Sequence, residues 1–197
     1  MTTQAWWYLA RASGYVAWGL VTSSVIAGLL LTTRVTNGRP RPAWILDLHR
    51  FLAGTAVIFT ALHIGGLVAD TYVHFGPADI LVPLASHWRR APVALGVIAL
   101  YLLGAIEVTS LLMRRLPRRL WHGVHLTSYV LFWLATFHLL TAGTDATNRI
   151  SRLGAGFAVA LVTFLTFVRV LDRRSTHHPP RRSPASQGRT PAQVTPS

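Results

Sequence analysis

Four histidines carry the first signal of chemistry in this chain. His49 and His63 bracket the apolar run LHRFLAGTAVIFTALH, residues 48–63, and lie 14 residues apart. His125 and His138 bracket a second run, HLTSYVLFWLATFH, at a spacing of 13. On a helix rising about 1.5 Å per residue, each pair spans about 20 Å. That is most of a hydrocarbon core about 30 Å thick. A single histidine in such a run reads equally well as a hydrogen-bonding bridge between helices or as a ligand, because ionisable groups at membrane depth are functional candidates by default. Four at two matched depths are harder to assign to packing.

Two such segments need helices that run in the same direction. The chain has 197 residues, 51% of them hydrophobic and only 13% charged. A soluble domain of ordinary composition carries about 25% charged residues. Long uncharged runs fall at Ala12–Thr33, Phe51–Ala69, Ala91–Met113, Leu120–Ala142 and Leu153–Val168, broken only by Glu107 and histidines. A crossing helix needs about 20 apolar residues. The expected fold is therefore an all-α integral membrane protein, a five-helix transmembrane bundle. The first run has no basic lead-in and is followed by Arg34 and Arg39, which argues against a cleaved signal peptide.

The formal charge of +13 comes from arginine alone. Its distribution argues for membrane topology and against nucleic-acid binding. Arg34, Arg39 and Arg41 follow the first span, Arg114, Arg115, Arg118 and Arg119 follow the third, and Arg169, Arg173 and Arg174 follow the fifth. The other side holds fewer arginines, mixed with Asp70, Asp79 and Asp145. By the positive-inside rule the amino terminus is outside and the carboxyl terminus cytoplasmic. Trp6, Trp7 and Trp88 then mark the outer interface, and Trp44 and Trp121 the inner one.

Spans two and four both start inside and end outside. His49 and His125 share the inner depth, and His63 and His138 the outer. A b-type haem with two axial histidines needs one such pair; two haems need both. Fourteen residues put His49 and His63 on one face. Thirteen leave His125 and His138 about 140° apart on a straight helix, so a tilt, a kink or an approach from different sides is required. Gly54, Gly65 and Gly66 are candidates for close approach. Arg50, beside His49, could meet a haem propionate or be an ordinary edge arginine; Arg89 and Arg90 could do the same outside, with snorkelling the stronger alternative. His122, one turn before His125, could contact a headgroup or propionate, or replace His125 as ligand. Glu107 could pair with Arg50 or with the Arg114 and Arg115 cluster. His74 and His87 read as solvated loop residues, as do His177 and His178 in the tail. The absence of cysteine removes thiolate sites and covalent haem attachment.

Between spans, RVTNGRPRPAW (34–44) reads as an inner loop, ADILVPLASHW (78–88) as a short interfacial helix, RRLPRR (114–119) as a tight inner loop and 142–152 as a polar outer loop. Residues 172–197, rich in Arg, Pro and Ser, read as a disordered cytoplasmic tail.

LHRFLAGTAVIFTALH and WHGVHLTSYVLFWLATFH resemble the paired-histidine helices of the ferric reductase-like transmembrane domain. That superfamily includes NADPH oxidases, ferric-chelate reductases and the haem-binding membrane subunit of bacterial periplasmic methionine sulfoxide reductase. The likeness covers about residues 10–171, within a domain placed at 1–171. It implies an inner haem on His49 and His125, an outer haem on His63 and His138, and electron flow from a cytoplasmic-side donor to an extracytoplasmic acceptor. Many relatives carry a flavin and nicotinamide domain after the last span, and several have six spans. Residues 172–197 carry no Gly-rich nucleotide loop, so the expected donor is a separate flavoprotein or a membrane quinol. Ferric iron, oxygen or a redox protein would be the acceptor, and the bacterial plasma membrane the location. A non-catalytic anchor subunit and a histidine-dependent proton or metal transporter are the competing readings.

Overall fold

The computed structural model describes residues 3–32, 43–71, 74–143 and 148–175. Among the described residues seven helices follow in order: α1 (Thr3–Thr32), α2 (Ala43–Ala69), α3 (Pro77–Leu81), α4 (Arg90–Leu111), α5 (Arg118–Leu126), α6 (Ser128–Ala142) and α7 (Arg149–Ser175). The described residues contain no strand. Five stretches are long and apolar enough to cross a membrane: α1, α2, α4, α5 with α6 as one span, and α7. The five-helix transmembrane bundle is thus as expected. Residues 33–42, Asp145 and the tail from 176, with His177 and His178, lie outside the described residues; α7 itself runs to Ser175, beyond the expected boundary at 171.

Apolar length makes the spans, and polar or restricted residues end them. Pro117 precedes α5, where its missing N–H costs no helical bond. Pro92 occupies the first turn of α4 for the same reason. Extended Gly143 ends α6. The expected interfacial helix shrinks to α3, a single short segment, since Leu84 and Arg89 take left-handed backbone angles (φ 68° and 41°) that no helix can continue through. Tyr101 Oη donates to the Leu81 carbonyl at 2.6 Å and pins α3 against α4.

The fourth span is not one straight helix. Thr127 breaks it: its N–H bonds the Val124 carbonyl three residues back, and its hydroxyl donates to the same oxygen at 2.7 Å. Bonding of this tighter kind turns the chain about 120° per residue in place of about 100°. The break lies between His125 and His138 and rotates them toward a common side.

Packing explains how the histidine-bearing spans are placed. α1 packs along α2, α4 packs along α6, and α1 also meets α6 and α7. α2 itself makes at most a marginal backbone contact with α5 and α6. The two histidine-bearing spans are therefore held opposite each other by α1 and α4, with a gap between. At mid-depth that gap is closed by an apolar cluster of Val21, Ala56, Ala99, Leu103, Ile106 and Leu131. Ala56 lies midway between His49 and His63 in sequence, and Leu131 near the middle of the other pair. Gly66 is buried where α1 crosses α2; a Cβ there would sit 2.9 Å from backbone atoms of Ala10, so only glycine permits the crossing.

Candidate functional site

The four histidines form two couples. The rings of His49 and His125 lie 6.0 Å apart, centre to centre, with planes at 73°. Those of His63 and His138 lie 6.3 Å apart at 83°. A metal–imidazole nitrogen bond is about 2 Å long, and the ring centre lies about 1 Å behind its nitrogen, so two imidazoles on opposite sides of one metal stand about 6 Å apart. The couples have that separation.

Three of the rings are oriented by backbone carbonyls. Nδ1 of His63 donates to the Ala10 carbonyl at 2.6 Å, Nδ1 of His49 to that of Ser24 at 2.9 Å, and Nδ1 of His138 to that of Pro92 at 2.8 Å. The Ser24 hydroxyl also lies 3.1 Å from His49 Nδ1. A proton fixed on Nδ1 leaves the Nε2 lone pair for a metal, which is the usual arrangement behind a ligating histidine.

A glycine makes each of these bonds accessible. In a helix the carbonyl of residue i is covered by the side chain at i+4, which leans back over the preceding turn. Ala10 is followed four residues later by Gly14, Ser24 by Gly28 and Pro92 by Gly96. A Cβ on Gly14 would lie 2.8 Å from His63 Nδ1, one on Gly96 2.6 Å from His138 Cε1, and one on Gly28 3.4 Å from His49 Cε1. Each missing side chain is replaced by an imidazole. Sequence reasoning passed over these glycines and named Gly54, Gly65 and Gly66. Gly54 and Gly65 face open space, and Gly66 serves the helix crossing. The signal was available: Gly14 and Gly28 are 14 apart, the spacing of His63 and His49 on the antiparallel neighbour.

His125 differs from the other three. Its Nδ1 is buried and has no hydrogen-bond partner. Its ring is stacked on Trp121 at 5.2 Å and 23°. His122 is exposed beside Trp121, and the ring opposite His49 is that of His125.

The outer couple lines a cavity of about 370 Å³ that also involves Trp7, Arg11, Trp18, Asp70 and Trp88. Asp70 is 4% exposed, and its Oδ1 has no partner. Of the arginines singled out from sequence, Arg50 is 60% exposed and lies 3.8 Å from Asp47 on its own helix, a surface pair of small energetic weight. Arg89 donates to the carbonyls of Thr141 and Gly143 and closes the C-terminal end of α6. His74 and His87 are exposed, as expected of solvated residues.

Among the described residues no three His, Asp or Glu side chains gather to enclose a bare metal ion. Two axial nitrogens, Nε2 free, across a gap between unpacked helices suit a metal already carried in a flat ring. The donor set, ring separation and glycine cradles all fit a b-type haem at each level.

A family model described as ferric reductase like transmembrane component matches residues 13–136, which include the carbonyl and glycine positions of α1 and α4 described above except Ala10, and three of the four histidines. His138 lies two residues past the matched segment. The match supports a multi-pass membrane protein and transmembrane electron transfer in general. Neither a curated protein nor a solved structure matches the chain.

Proposed function

The chain belongs to the ferric reductase-like transmembrane family, and on that premise we propose that it is a membrane cytochrome b conducting electrons between two axial-histidine haem sites. His49 and His125 are the ligands of the inner site, and His63 and His138 those of the outer. The observation that carries this reading is the pair of imidazole couples at 6.0 and 6.3 Å, on helices with little direct backbone contact. A bound haem supplies a one-electron iron couple, and the protein sets its ligands and surroundings.

The residues of the chain have definite tasks in this reading. The carbonyls of Ala10, Ser24 and Pro92 hold the Nδ1 protons and aim Nε2 inward. The apolar cluster at mid-depth keeps water out from between the two sites. The arginine-rich end, with Arg114, Arg115, Arg118 and Arg119, lies at the level of His49 and His125. By the positive-inside rule that level is cytoplasmic. Electrons then enter there from a flavoprotein or quinol and leave at the outer couple to ferric iron, oxygen or a redox protein. A negative interior assists a full outward crossing by about 2.3 kcal/mol per 100 mV.

The test is a reduced-minus-oxidised absorbance spectrum of the purified protein, with haem content per chain. Two haems per chain with bis-histidine spectra are expected, falling to one when His63 or His138 is changed to Ala. A colourless protein, or undiminished haem in those variants, overturns the reading.

A further inference from the structure

We propose that segment 75–88 is a hinged flap over the outer cavity, by which the flat group held by His63 and His138 enters and behind which it is retained. This rests on the reading above and adds a moving part to it. Most of the cavity wall comes from α1, α2, α4 and α6, parts of the membrane-crossing helices. The rest is Phe75, Asp79, Ile80 and Trp88. These four belong to the short connection between α2 and α4, not to a span. A planar group has to reach two imidazoles that face each other across a gap. Moving a short connection aside disturbs less packing than parting two spans.

The segment is organised within itself and tied lightly to its surroundings. Asp79 accepts from the Gly76 N–H at 2.8 Å, the Val82 N–H donates to the Ala78 carbonyl at 2.9 Å, and Ser86 Oγ donates to the Trp88 carbonyl at 3.0 Å. Among the described residues one hydrogen bond ties it to a span, from Tyr101 Oη to the Leu81 carbonyl at 2.6 Å. Tyr101 stands 11 positions after Arg90, the first residue of α4, which is about 16 Å along the helix. Its side chain leans back toward the start of α4, so Leu81 rests beside that helix and not above it. Leu81, Val82 and Leu84 are exposed on the other side. The backbone at the two ends of the segment is strained. His74 (φ 54°), Leu84 (φ 68°) and Arg89 (φ 41°) are the non-glycine residues with left-handed angles among those described. Such angles crowd the Cβ of an L-residue, and a hinge turns where a few residues can change φ and ψ. His74 and Arg89 flank the segment, and Arg89 is fixed to the end of α6 by its bonds to Thr141 and Gly143.

The chain has no cysteine, so one introduced thiol reports on the flap. Ile80→Cys puts it on the cavity side, and Ala78→Cys on an exposed position of the same helix. The full-length chain, as purified in detergent, is labelled with a charged maleimide. Each variant is repeated with Tyr101→Phe, which removes the tie and keeps the ring. The thiol of Ile80→Cys should react about tenfold more slowly than that of Ala78→Cys, because it waits for a local opening. Tyr101→Phe should speed the first about fivefold, the scale of one lost hydrogen bond, and leave the second alone. The same change should speed the release of one haem per chain to a soluble haem scavenger by a similar factor, with the other haem unaffected. Equal labelling of the two thiols overturns the proposal. So does a Tyr101→Phe chain whose Ile80→Cys thiol reacts no faster, or one whose flap loosens while both haems leave as slowly as before. A chain that holds no haem overturns the underlying reading instead, and the labelling rates then decide the flap by themselves, so the two failures are distinguishable.

Discussion

The outer and inner couples are built from the same helices to nearly the same ring separation, yet they are supported differently. Both outer rings bond a backbone carbonyl, and both lie against a glycine on a neighbouring span. At the inner level His49 has that support and His125 does not; it has a stacked Trp121 and an unpartnered Nδ1. A carbonyl bond fixes both the tautomer and the direction of the ring, whereas a stacked aromatic fixes only its plane. Both rings of the outer couple are therefore fixed in tautomer and direction. At the inner level one ring is fixed in this way and the other is held by stacking alone.

The comparison is broken most severely by removing the space on which the outer rings depend. Gly96→Ala places a Cβ 2.6 Å from His138 Cε1 and 2.8 Å from its Nδ1, on a helix backbone that cannot yield. His138 must leave the Pro92 carbonyl. The expected outcome is loss of the outer haem alone, seen as haem per chain falling from two to one with the inner spectrum retained. If both haems survive, the glycine cradle does not determine the site.

Gly66→Ala should act less selectively. Its Cβ would lie 2.9 Å from Ala10 backbone atoms and force α1 away from α2. Overpacking of this kind costs about 1–3 kcal/mol. Because Ala10 also accepts from His63, the outer site should loosen as the thermal midpoint of the protein falls. Loss of thermal stability with an unchanged outer spectrum would separate the helix crossing from the ligand.

At the inner level the sensitive residue is Trp121. Trp121→Ala removes the ring stacked on His125 and should weaken inner haem retention by about tenfold, the lower end for a residue that orients a ligand. Trp121→Phe keeps a flat ring, and Trp121 Nε1 makes no hydrogen bond that the change would remove; it should behave nearly as wild type. A haem-retention titration of the two variants distinguishes stacking from other roles.

The bundle and the two couples were legible in the sequence because membrane burial writes itself in long apolar runs, and because parallel spans put equal sequence depths at equal heights. The angular conflict between His125 and His138 was legible as a conflict. Its solution at Thr127 was not, since a hydroxyl returning to the carbonyl three residues back is a local choice that a threonine in an apolar run does not announce. Where the arginines lie was not legible either: Arg50 meets Asp47 on its own helix and Arg89 the carbonyls of Thr141 and Gly143, contacts that nearness in sequence to a histidine does not reveal. The glycine cradles were hidden in the same way, one helix away from the residues they serve.

The smallest change is also the sharpest test of the cradle idea. Gly28 holds the same position relative to Ser24 and His49 that Gly96 holds relative to Pro92 and His138. Its Cβ, however, would lie 3.4 Å from His49 Cε1 and 3.7 Å from Nδ1, the edge of ordinary contact. Gly28→Ala should leave both haems in place and shift the inner site only slightly, because the ring need move by no more than a few tenths of an ångström. Ser24→Ala should be comparably quiet: it removes the hydroxyl at 3.1 Å but keeps the carbonyl at 2.9 Å, and a bond to backbone survives any side-chain change. Redox titration of the inner haem in both variants checks this. If Gly28→Ala removes the inner haem as completely as Gly96→Ala removes the outer, then the measured clearance does not govern tolerance. The inner wall at His49 would then be as rigid as the outer one, and the adaptable element of the inner couple would be His125 with its tryptophan.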